Sequence, residues 1–191
     1  MKLPEMNKLL LWLIIGLILC LTTPLSASAA AENTKVRLGT ELDLLPFVSD
    51  GYYSSSVVGF DHYNVRLITA KTKIPGFATP DGYRDWKLKN VTAVIIDYFP
   101  DENREGVWFA GGFEHWKSAI RAKSSGATGT FSQNIFTLGS GYVYNLNEHW
   151  YINPWIALHY NLSDHPVPVG SDVLQLKDIM YEASIKLGYR F

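Results

Sequence analysis

The sequence predicts an all-β chain, an eight-stranded antiparallel up-and-down transmembrane β-barrel. Three observations carry that prediction. The last stretch, "YEASIKLGYRF", is apolar or aromatic at every second residue from Tyr181 to Phe191, with Glu182, Ser184, Lys186, Gly188 and Arg190 between. Strand side chains alternate between two faces, so this segment has one apolar face and one polar face. The links between such segments alternate between short and long. Finally, Trp150 to Tyr160 and Tyr181 to Phe191 are same-face aromatic pairs ten residues apart. At ~3.3 Å per residue and a tilt near 40°, ten residues rise about 25 Å, the height of the apolar band between the two aromatic girdles of a membrane barrel.

The chain opens with Lys2 and Lys8, then an uncharged apolar run from Leu9 to Leu21, then the small residues of "SASAAAE". This is the three-part pattern of a signal peptide spanning residues 1–31, with cleavage after Ala29 or Ala31. The run falls short of the roughly 20 apolar residues a spanning helix needs. The one cysteine, Cys20, lies inside it, so the barrel of residues 32–191 has no thiol for a disulfide or a Cys-based site. Setting aside Lys2, Lys8 and Glu5 moves the formal charge from −1 to −2, which gives no reason to expect a nucleic-acid partner.

Strands are predicted at 36–45, 51–60, 62–72, 87–99, 106–118, 131–145, 149–161 and 178–191. The first alternates Val36, Leu38, Thr40 and Leu42 against Arg37, Glu41 and Asp43. The second, "GYYSSSVVGF", has the weakest pattern, but without it the strand count is odd and the alternation of ends fails. The third sets Tyr63, Val65 and Leu67 against Asn64 and Arg66; the fourth and fifth flank the turn-rich "PDENRE". The sixth places Phe136, Leu138, Ser140, Tyr142 and Tyr144 together, and the seventh Trp150, Ile152, Ile156, Leu158 and Tyr160. Links at 73–86, 119–130 and 162–177 are long and expected at the cell surface; those at 100–105 and 146–148 are short and expected in the periplasm. Trp108, Tyr142, Tyr144, Trp150, Tyr160 and Tyr181 are assigned to the aromatic girdles, as are Phe99, Trp86 and Trp116.

In a membrane barrel the polar face turns inward, and buried charge must be paired. Arg37, Glu41, Asp43, Arg66, Asp97, Glu114, Glu182, Lys186 and Arg190 are the expected members of an interior charge network. Eight strands enclose only enough space for their own side chains, so a plugged polar interior is expected, not a pore. Strand glycines such as Gly141 and Gly188 make room for large neighbours.

The final alternating strand, with Ile185, Leu187, Tyr189 and Phe191 on one face, resembles the signal read by the outer-membrane barrel assembly machinery. The chain resembles the small eight-stranded outer-membrane barrels of Gram-negative bacteria, of the OmpA-transmembrane-domain, OmpX and OmpW types. The resemblance is architectural and implies an outer-membrane location, outer-membrane lipid and the assembly machinery as partners, and no cofactor. It leaves a structural or surface-interaction role open, with an extracellular ligand unnamed. Because that group includes a lipid A palmitoyltransferase and a lipid A deacylase, an acyl-hydrolase or acyltransferase remains an alternative. "HYNLSDH" then supplies the residue types, His159, Ser163, Asp164 and His165. The deacylase pattern His-x-Ser reads here as His159-Tyr160-Asn161, without the hydroxyl. A metal site through His159, Asp164 and His165 has no recognised spacing. A soluble lipocalin-like barrel, with the apolar face inward, is the second alternative.

Overall fold

A computed structural model describes residues 36–163 and 166–191. The segment 1–31 expected to be a signal peptide, with Cys20, and also Asp164 and His165 lie outside the described residues. Eight strands close into one barrel: β1 (Arg37–Asp43), β2 (Tyr52–Phe60), β3 (Tyr63–Lys73), β4 (Tyr83–Tyr98), β5 (Gly106–Ala122), β6 (Thr128–Asn145), β7 (Trp150–Asn161) and β10 (Ile179–Arg190). A two-stranded hairpin, β8 (Val167–Val169) with β9 (Asp172–Leu174), sits in the link between β7 and β10. Every strand pairs antiparallel with its neighbour, and β1 meets β10 to close the sheet, so no edge is left unpaired.

The two faces follow the alternation of side chains. On β7, Trp150, Pro154 and Ile156 point outward, and Tyr151, Asn153, Ala157 and His159 are buried within. On β10, Tyr181 and Ile185 face out while Ser184 and Lys186 are buried. The apolar side chains are therefore on the outside; Ile156 is 64% exposed, where a soluble barrel would bury it. This arrangement is the opposite of a lipocalin-like barrel.

The ends differ from the predicted boundaries in one systematic way. Strands β4, β5 and β6 run on toward the long loops, so the expected link at 119–130 shrinks to residues 123–127. Pairing continues to Arg121 with Thr128, because Ile120 and Ala122 keep turning into the apolar interior. The link at 162–177 is not simply an exposed loop either. Val169 and Leu174 of its hairpin are fully buried and pack in one cluster with Trp86, Leu88, Ile120 and Ile135.

At two of the close approaches that require glycine, the neighbour is a large aromatic ring. A Cβ on Gly188 would lie 2.0 Å from the Tyr151 ring, and one on Gly141 would lie 2.5 Å from Trp108. Both large rings lie across the inner wall at strand positions that have no side chain of their own.

Candidate functional site

The interior is organised around a charge cluster near the short-turn end. Arg66 of β3 donates from Nη2 and Nε to Asp97 Oδ1 of β4 at 2.7 and 3.1 Å, and from Nη1 to Glu41 Oε2 of β1 at 3.4 Å. Glu41 also accepts from the Tyr151 hydroxyl at 3.1 Å and from Asn153 Nδ2 at 2.9 Å. Trp108 Nε1 donates to Asn153 Oδ1 at 2.9 Å, and the Arg66 guanidinium lies 4.8 Å from the Trp108 ring centre. Lys186, fully buried, places Nζ 3.7 Å from the Trp155 ring and 5.4 Å from Tyr53. Two carboxylates and two cations thus balance inside one shell of aromatic rings, which supply cation–π attraction.

Trp108 is accordingly not a girdle residue, nor are Trp86, Trp116 and Phe99; all four are buried. On β5 the residues at 108, 110, 114 and 116 share the inward parity, and Trp116 Nε1 donates to Glu114 Oε2 at 2.8 Å. Tyr142, Tyr144, Trp150 and Tyr181 are exposed on the outside, and Tyr160 is partly covered there. Tyr189 packs edge-on to Trp150 at 4.9 Å and to Phe191 at 5.3 Å; with Ile185 and Leu187 these residues form one outward stripe.

A second cluster lies farther toward the long loops. His159 Nε2 is 2.9 Å from Glu182 Oε2, and its Nδ1 is 2.8 Å from the Thr137 hydroxyl and 3.3 Å from Glu114 Oε1. Thr137 donates its proton to Glu114 at 2.6 Å. Both ring nitrogens are thus held by side chains of neighbouring strands, and the Thr137 proton is directed to Glu114 and not to the imidazole. Ser163 is not in this cluster: its hydroxyl accepts the Asn134 backbone N–H at 2.6 Å. Among the described residues no group of three or more His, Cys, Asp or Glu side chains could hold a metal ion.

Among the described residues the remaining expected network members make no ion pair with either cluster, although the Arg190 guanidinium lies 4.6 Å from the Tyr151 ring centre. Asp43 is buried and accepts from the Ser184 hydroxyl and from Leu45 N–H. Arg37 is exposed, within 3.4 Å of the Asn103 carbonyl, and Arg190 donates to Asn145 at 2.8 Å. Both sit at the short-turn mouth with Arg104, which no pattern in the sequence singled out. Arg104 donates to Asn64 Oδ1 at 3.0 Å. Burial, with Arg37 and Arg190 nearby, pushes its pKa down to about 10. The long-loop half of the interior departs from the expected polar lining, because Tyr53, Ala70, Leu88, Val91 and Ile135 face inward there.

An antiparallel eight-stranded barrel, apolar outside and charged within, defines the class: the chain has the fold of the small eight-stranded outer-membrane barrels. It is similar to the crystal structure of the N-terminal β-barrel domain of Pseudomonas aeruginosa OprF, with a TM-score of 0.51 at 13% identity over 82% of this chain and 96% of that domain. The crystal structure of Neisserial surface protein A (NspA) aligns with a TM-score of 0.42 at 13% identity, over 81% of this chain and 94% of that one. Comparison with family models and with curated proteins finds no match.

Proposed function

We propose that this chain is a small non-porin barrel of the outer membrane with a plugged interior, serving a structural or surface-interaction role. The observation that supports the reading is the buried Arg66–Asp97–Glu41 cluster, which shares the interior with the buried side chains of Trp108, Lys186 and Tyr151. A partly open cavity of about 60 Å³ lies above it, between Tyr53, Leu88, Trp116 and Trp155. A cavity of that size holds a couple of water molecules and no solute stream. Moving a side chain out of the cluster would leave a buried charge unpaired, so the plug is held by charge pairing as well as by packing.

The test is permeability. Vesicles carrying the purified barrel should exclude arabinose as well as protein-free vesicles do. Swelling at the rate given by a general porin would overturn the plugged reading. The acyl-transfer alternative has no comparable support, since the hydroxyl nearest His159 directs its proton to Glu114.

A further inference from the structure

The outer wall is not uniform around the barrel. On β7 and β10 the apolar face continues to Tyr160 and Tyr181 near the long loops. On β3 to β6 it ends sooner, at a register-paired row of Leu67, Val94, Phe113 and Phe136. The next outward row toward the long loops is Thr69, Thr92, His115 and Asn134, paired in the same way, with His115 Nδ1 2.9 Å from Asn134 Oδ1. Between these two rows runs an open outward groove of about 600 Å³, lined by Leu67, Thr69, Thr92, Val94, Phe113 and His115.

One step nearer the long loops the wall becomes basic. Lys71 faces the bulge of β4 at Lys89 and Asn90, and Asn90 pairs with Lys117 of β5. Lys71, Lys89 and Lys117 are all exposed on this face. Among the described residues none of the three makes an ion pair; the carboxylate of Asp85 is taken by Lys73 at 3.4 Å. Strands lie about 4.8 Å apart, so three ammonium groups span roughly 10 Å of wall. They stand where Tyr160 and Tyr181 mark the boundary of the apolar band on the opposite side.

We propose that this wall is a binding site for a phosphorylated lipid of the leaflet at the long-loop end. An acyl chain lies along the groove, and the phosphate accepts from Lys71, Lys89 and Lys117. The His115–Asn134 pair is placed to hydrogen-bond polar groups at the base of the headgroup. An apolar groove topped by unpaired cations complements a lipid that carries its negative charge at the interface, and it does not complement a zwitterionic one. The inference rests on the membrane-barrel reading above.

The experiment uses the full barrel in phosphatidylcholine nanodiscs containing a trace of bisphosphorylated lipid A, followed by native mass spectrometry. Wild type should retain the phosphorylated lipid in preference to phosphatidylcholine, less so at high salt. The triple variant K71Q/K89Q/K117Q should bind it about 100-fold more weakly, the loss expected on removing three cations from an anionic lipid. Thr92→Phe, which fills the groove and leaves the lysines, should also weaken retention, whereas Lys177→Gln, at an exposed loop lysine, should not. Equal retention by wild type and the triple variant, both inserted and folded, would overturn the lipid site and leave the barrel reading intact. A chain that stays soluble and folded without detergent or lipid would overturn both.

Discussion

Replacing Arg66 with Met tests whether charge pairing holds the interior together. Arg66 is the partner through which Asp97 is satisfied, by two donors to one carboxylate oxygen, whereas Glu41 keeps Tyr151 and Asn153. Met fills much of the volume but leaves Asp97 buried and unpaired, and the cluster at a net charge of −1. Removing one partner of a buried pair typically costs about 3–5 kcal/mol, and that is the expected loss. The double variant Arg66→Met/Asp97→Leu restores balance, with Glu41 set against Lys186, and replaces the pair by apolar packing. Such replacements are often neutral, so the double variant should lie within about 1 kcal/mol of wild type. Reversible urea unfolding in lipid vesicles, followed by tryptophan fluorescence and extrapolated linearly, measures all three proteins. Because the pair is shielded from solvent, the single-variant loss should persist at high salt. A single-variant loss below about 1 kcal/mol, or a double variant as poor as the single, would refute the pairing argument.

Other expectations follow from the two faces of the wall. Ile156→Arg puts a cation on the outward face near the middle of β7 and should cost about 2–4 kcal/mol in the same unfolding assay. Lys186→Leu removes a buried cation held against the Trp155 ring and should destabilise by about 2 kcal/mol, the worth of a desolvated cation–π contact; a loss within about 0.5 kcal/mol, as for a surface lysine, would place it on the wrong face. Gly188→Val should prevent closure onto Tyr151 and abolish the compact, heat-modifiable band on gels, and adding Tyr151→Ala should bring it back. Epitope tags at Ser125 should be labelled on intact cells and tags at Asn103 should not; the reverse pattern would invert the proposed orientation.

Strand positions were legible because alternation survives wherever one face is polar. All eight barrel strands can be read this way, even "GYYSSSVVGF", whose small serines blur its two faces. Alternation falls silent where both faces are apolar. In "GVWFAGGF", Val107 and Phe109 point out while Trp108 and Ala110 point in, so hydrophobicity alone assigned Trp108 to a girdle. The sequence did contain a corrective signal. Trp108 and Trp116 share the parity of Glu114, an inward charge, and Trp86 and Leu88 lie beyond a bulge that resets the parity of β4. The His159 cluster was not legible in the same way. Glu114, Thr137, His159 and Glu182 come from four strands, and only the register brings them together. Arg104 was invisible because turn residues have no face.

The division of the interior also explains how the register is set. Moving β3 by one residue against β4 would turn Arg66 outward and set Leu67 in its place inside. The slipped sheet would place a guanidinium against lipid and leave two buried carboxylates with Lys186 as their one cation. Near the long loops the same slip would expose Ala70 and bury Lys71 among apolar side chains, away from water. Each half of the interior therefore rejects the slip for a different physical reason. Near the short turns the cost is unpaired charge, and near the long loops it is a desolvated ammonium. A barrel filled with apolar side chains alone would lack the first penalty, and one filled with charge alone would relocate its pairs more easily. The prediction is specific. Arg66→Met/Asp97→Leu, close to wild type in stability, should still show loosened pairing between β3 and β4 as faster amide exchange at Val65 and Ile96. Unchanged protection at those two amides would assign the register to packing and not to charge.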